Sequence, residues 1–117
     1  MLFPQFVIYQ NKETLNYSDL SNILLIVINL KETWNYNAFK ECTHITWMRF
    51  KDKLTYDQKV VYSNLIKKFR NILYNYLIEN NSKWVSSSVL LTIYKTDIDP
   101  FLRSFSKRQL ILKQSVH

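Results

Sequence analysis

A chain of 117 residues, 47% apolar and 15% aromatic, is long enough for one packed domain and too apolar to remain disordered. It has no glycine, which argues against hairpin turns at positive φ and against a glycine-rich phosphate loop. Its one cysteine, Cys42, excludes an internal disulfide framework and fits a reducing compartment, and the net charge of +7 directs attention to anionic partners.

The charge is uneven. Residues 1–39 carry two positive and three negative groups, residues 40–70 eight and three, and residues 71–117 six and three. A chain rich in Lys, Asn, Ile and Tyr and poor in Gly, Pro and Ala also fits an AT-rich coding sequence, which raises lysine without any partner. Both explanations stay open.

Taken in chain order, the pattern predicts helices separated by turn chemistry. Pro4 can open a short first helix from Gln5 to about Thr14. Ser18 is the expected N-cap of a second, from Asp19 to about Trp34. This segment includes the most apolar run, residues 20–30, broken by Ser21, Asn22 and Asn29. It is too short to span a bilayer and lacks a charged start, so it reads as a buried helix. Asn35 to Asn37 break the pattern before a third helix, Ala38 to about Lys51. Thr55 and Gln58 have capping-box spacing and open the clearest helix, Tyr56 to about Glu79. Its apolar residues Val61, Tyr62, Leu65, Ile66, Phe69, Ile72, Leu73, Tyr76 and Leu77 recur at steps of three and four. Asn80 to Ser82 end it. Ser86 to Tyr94 reads equally as helix or short strand, because Val89, Thr92 and Ile93 are β-branched. Asp99 and Pro100 form an N-cap and N1 pair for a last helix to about Lys113. The expected class is all-α, a single helical domain over residues 1–117, with no sheet beyond a short pair near residues 84–95.

Catalytic groupings are scarce. His44 and His117 lie far apart, and Cys42 with His44 has a spacing that does not place two ligands on one helical face. No orienting carboxylate or oxyanion hole accompanies Cys42, and Asp97 with Asp99 reads as a turn with a cap. The expectation is a non-enzyme with no metal and no cofactor.

The beginning of the chain carries a different signal. Phe6-Val7-Ile8-Tyr9-Gln10 resembles the opening of the first helix of HMG-box domains, where an aromatic, an exposed aliphatic, any residue, an aromatic and a basic residue follow in order, with Gln10 standing at the basic position. Fungal mating-type α-box proteins, related to the HMG box, share it. Leu20-Ser21-Asn22-Ile23-Leu24-Leu25 is similar to the second helix of an α-box, and Leu30-Lys31-Glu32-Thr33-Trp34 to its ending. Asn35 to Lys40 then resembles the turn into helix three, with Trp47 as its core aromatic. A second register also fits, in which Trp47 and the segment Leu54 to Tyr62 resemble the junction of helices two and three. The resemblance covers about residues 3–70 and leaves about 71–117 as a helical extension.

The resemblance implies an HMG-box-like L of three helices with additional C-terminal helices. It implies a sequence-specific, nuclear transcription regulator that binds and bends the minor groove of double-stranded DNA beside a partner transcription factor. In that reading Val7 is an apolar wedge between base pairs, with Phe6 and Tyr9 packed inward. Lys12, Lys40, Arg49, Lys51 and Lys53 meet phosphates, and Gln5, Gln10 and Asn11 face base edges. No membrane and no small-molecule substrate are expected. Plainer roles compete at every position. Phe3, Phe6 and Tyr9 also suit an ordinary core, Val7 ordinary packing, and Lys67, Lys68 and Arg70 the solvated face of the long helix. Trp34 and Trp47 read as core. Two other functions fit the same chain: a small helical protein-interaction module of viral or adaptor type, and an RNA binder stacking single strands on the tyrosines of residues 47–76.

Overall fold

Side-chain caps set most of the helix boundaries in the computed structural model, which describes residues 4–116. A 3₁₀ turn, Pro4–Phe6, leads into α1, Val7–Gln10. This helix is a single turn and does not reach Thr14, because tertiary bonds take over the following backbone. Lys53 Nζ donates to the Lys12 carbonyl, Leu15 N–H donates to Lys53 O at 3.0 Å, and Lys12 Nζ pairs with Asp19 Oδ1 at 2.7 Å. Phe3 and His117 lie outside the described residues.

The second helix, α2, spans Tyr17–Ile28. Its N-cap is Asn16 rather than Ser18. Asn16 Oδ1 accepts from Asp19 N–H at 2.8 Å while Asp19 Oδ2 accepts from Asn16 N–H at 3.0 Å, a reciprocal box that Ser18 has no partner to match. Nor does α2 continue to Trp34. It stops at Ile28, whose carbonyl accepts the Trp34 indole N–H at 3.0 Å. Trp34 lies instead in β1, Thr33–Trp34, which pairs antiparallel with β2, Val85–Ser86, in the register Thr33↔Ser86 and Trp34↔Val85.

Asn35 caps α3, Tyr36–Phe50, by accepting from Ala38 N–H at 2.7 Å. A 3₁₀ turn at Lys51–Lys53 reverses the chain into α4, Tyr56–Glu79, which starts on the expected Thr55–Gln58 capping box. Asn81 ends α4 in the left-handed region, at φ 47°. Ser82 N–H reaches Leu77 O and Asn81 N–H reaches Ile78 O, a Schellman closure in which asparagine takes the place usually filled by glycine. Ser86 then caps α5, Ser87–Ile93. The expected new helix start at Asp99 is absent. A π-helical turn, Tyr94–Ile98, carries the chain without interruption into α6, Asp99–Val116. Pro100 has no N–H to give to the preceding turn, and the wider π turn accommodates it. Asp99, instead of capping, holds Arg103 one turn later at 2.7 Å.

The described chain is mostly helical, with the two-residue strand pair as its sheet. One core joins residues from Phe6 to Leu102. At its centre Trp34 packs edge-on against Phe39, with ring centroids 5.7 Å apart, and Phe39 meets Phe69 at 4.8 Å. The C-terminal helices are integral to this core: α5 and α6 both pack on α2 and on α4. Tyr94 OH bonds Ser21 Oγ, tying the π turn to α2.

Tyr62 is the misfit. Its hydroxyl is buried without a hydrogen-bond partner, and burial pushes its pKa well above the usual phenol range. Its ring stacks on Trp47 with the planes 10° apart, a contact phenylalanine preserves. Tyr62→Phe is therefore expected to raise stability by about 1 kcal/mol, by removing an unsatisfied polar group. The urea midpoint should rise at unchanged slope, and a fall would show that the hydroxyl has a partner.

Candidate nucleic-acid interface

Helices α3 and α4 form an antiparallel hairpin clamped by Arg70. Its Nε and Nη2 donate to Thr43 Oγ1 at 3.0 and 2.7 Å, and Nη2 also reaches Lys40 O at 3.2 Å. The Thr43 hydroxyl gives its own proton to Phe39 O at 2.8 Å, leaving its lone pairs for the guanidinium. Burial lowers the Arg70 pKa from its usual value, opposed by the nearby phenols of Tyr36 and Tyr62, and an arginine stays charged at neutral pH regardless. The clamp thus fixes a cation at the seam between the two helices.

Other cations gather on this seam. His44, Trp47, Ser63, Ile66, Lys67 and Arg70 line a small cleft of about 100 Å³, and Lys40 and Lys67 are exposed. Between Asp57 and Glu79, α4 carries Lys59, Lys67, Lys68 and Arg70 and no carboxylate. That stretch is about 30 Å of helix with charges of one sign. Its solvent-facing stripe continues through Val60, Asn64, Lys67 and Asn71, at helical steps of four, three and four. Lys68 points elsewhere, its ammonium 3.5 Å from the centroid of the Phe101 ring on α6.

Most of the residues singled out in the sequence cluster at the closed end of the hairpin. Phe6 is buried edge-on against Phe50, with centroids 5.1 Å apart, and this contact seats α1 beside the end of α3. Gln5, Gln10 and Asn11 are exposed, as are Val7 at 52% and Ile8 at 69%, while Tyr9 is half-buried. Lys12, Arg49, Lys51 and Lys53 belong to the same end, but two of them already serve the fold. Lys12 holds Asp19, and Lys53 holds the Lys12 carbonyl. Glu13, Asp52 and Asp57 further offset the local charge. Lys40 stands apart, about 13 Å along α3 from Arg49 by the rise of an α-helix. Its carbonyl accepts from Arg70, which lines the cleft with Lys67. Those two were read from the sequence as a solvated face and, with Lys68, as the alternative binding face, and the signal that marks them is the missing carboxylates of residues 58–78.

Among the described residues no group of three His, Cys, Asp or Glu could hold a metal, and no helix is long and apolar enough to cross a membrane. Burial pushes the Cys42 thiol up, away from the thiolate a nucleophile needs. Trp34 is buried, whereas Trp47 is half-buried and lines the seam. Comparison with known protein families, curated proteins and solved structures finds no match to this chain.

Proposed function

We propose that this protein binds double-stranded DNA along the α3–α4 seam. The observation that carries the reading is the single sign of charge along α4, although α3 places Glu41 next to Lys40. Lys67 and Arg70 line one cleft on α4, Arg70 reaches the Lys40 carbonyl on α3, and α4 carries no carboxylate between Asp57 and Glu79. Such a surface neutralises phosphates and releases counterions, which supplies affinity and little sequence discrimination. Asn64 and Asn71 on the exposed stripe add short-range polar contacts.

Val7 and Ile8 supply the apolar element. Two adjacent exposed aliphatics on one helical turn, beside Gln5 and Gln10, suit insertion into a minor groove that amides can also contact. This agrees with the resemblance to mating-type α-box proteins and extends the proposal to a nuclear regulator of transcription. A contact surface dominated by phosphate-facing lysines leaves much of the specificity to a second DNA-binding factor.

The deciding experiment is duplex binding by fluorescence anisotropy over a series of salt concentrations. Tight binding at low salt that weakens linearly in log–log form supports the reading. No binding at about 50 mM salt would overturn it and favour the protein-interaction alternative, for which the exposed Ile78 and Trp84 offer apolar contacts. Val7→Ala separates wedge from core. With the side chain half-exposed, stability should change by about 0.5 kcal/mol or less. The DNA bend angle, read by end-to-end energy transfer, should fall. A normal bend with Val7→Ala would remove Val7 from the interface.

A further inference from the structure

The open end of the α3–α4 hairpin holds a second feature. Tyr36 begins α3 and Tyr74 lies in the last turns of α4, so the antiparallel arrangement brings their rings together edge to face, with centroids 5.4 Å apart and planes at 72°. The Schellman closure at Asn81 folds the following residues back beside them. The result is a cleft of about 500 Å³ lined by Tyr36, Tyr74, Ile78, Asn37, Ser82 and Lys83, among others. A cleft of that size suits a ligand as large as a nucleotide.

Its chemistry is specific in kind. Tyr74 is 50% exposed, so part of an aromatic ring is open to a partner. Lys83 is the single charge in the lining, and no carboxylate is present there. The first turn of α3 also opens on the cleft, which adds the positive end of a helix dipole. Arg70 lies one turn before Tyr74 on α4, so the cleft continues the cationic seam. An aromatic platform beside a cation, at the end of a phosphate-binding track, matches a base with its phosphate.

We propose that this cleft takes an unpaired nucleotide, its base stacked on Tyr74 and its phosphate beside Lys83. The ligand is either the overhanging end of a strand whose duplex part lies on the seam, or a free mononucleotide. The overhang form rests on the duplex-binding reading. The cleft makes the preferred DNA a duplex with an unpaired end.

The test compares a blunt duplex, the same duplex with one 2-aminopurine nucleotide overhanging at either end, and free adenosine monophosphate. The overhang duplex should bind about tenfold more tightly than the blunt one, with quenched 2-aminopurine fluorescence. Tyr74→Ala should abolish both the gain and the quenching while leaving blunt-duplex affinity unchanged, and Tyr74→Phe should keep both. A circular-dichroism melt verifies that each variant is folded. If the blunt duplex binds but no overhang adds affinity, and adenosine monophosphate does not bind, the cleft proposal is overturned and the duplex reading stands. If no duplex binds, the duplex reading falls, and adenosine monophosphate decides the cleft. Binding lost in Tyr74→Ala assigns a free nucleotide, and no binding overturns the proposal.

Discussion

Replacing Trp34 by alanine should cost about 4 kcal/mol, as large aromatic deletions from a packed core do. The indole is fully buried, contacts Phe39 edge-on, and donates its N–H to the last carbonyl of α2. The variant loses buried area, leaves a cavity between α2 and α3, and orphans the Ile28 carbonyl. A domain of this size holds about 5–15 kcal/mol in total, so much of the margin disappears. Trp34→Phe keeps most of the contact and loses the hydrogen bond, at a cost of about 1–2 kcal/mol. Urea unfolding followed at 222 nm reads both. A Trp34→Ala cost below that of Trp34→Phe would show that the indole is not the pivot described.

The largest effect on binding is expected from Lys40→Ala combined with Lys67→Ala. Each lysine that neutralises a phosphate contributes about 0.9 to the slope of log K against log salt, so the pair should reduce that slope by about 1.8. If the two proteins bind equally near 1 M salt, the affinity deficit is roughly 200-fold at 50 mM and roughly 20-fold at 200 mM. The deficit should be the same on unrelated sequences, since phosphates carry no sequence information. Both side chains are long and Lys67 and Lys40 are exposed, so folding should be almost unaffected. The control is Lys51→Ala with Lys53→Ala. Lys53 already donates to the Lys12 carbonyl, so that pair should change the slope less while loosening the N-terminal turn. A larger change in slope from Lys51 and Lys53 would centre the phosphate contacts on the closed end of the hairpin, beside Val7.

The all-helical class and the long fourth helix were legible in the sequence because both are written locally. The Thr55–Gln58 box and the steps of three and four through Phe69 need no knowledge of the rest of the chain. Boundaries that depend on distant partners were not. Residues 12–15 leave the helical path because Lys53 and Asp19 hold them, and Trp34 enters a strand because Val85 lies opposite. Pro100 reads as a helix start by local rules, yet the π turn carries the helix through it. The absence of glycine was a fair argument against positive φ in general, but asparagine fills the left-handed position at Asn81. Of the candidate contact residues, those near α1 were found by pattern. Lys67 and Arg70 were legible in the sequence as the alternative basic face, and the tie from Arg70 to Thr43 and the Lys40 carbonyl shows only when α3 is laid against α4.

The pairing of β1 with β2 also fixes how the chain can be cut. Residues 35–84 leave and return at adjacent points, so the hairpin is a continuous insert, whereas the scaffold under it is assembled from two pieces far apart in sequence. Helix α2 comes from the first piece and α5 and α6 from the second, and each buries an apolar face against the other. Removing α2 or α6 therefore strips one wall from the scaffold and exposes residues such as Leu102 or Leu24 to water. Fragments that keep the hairpin alone lose the clip that joins its ends.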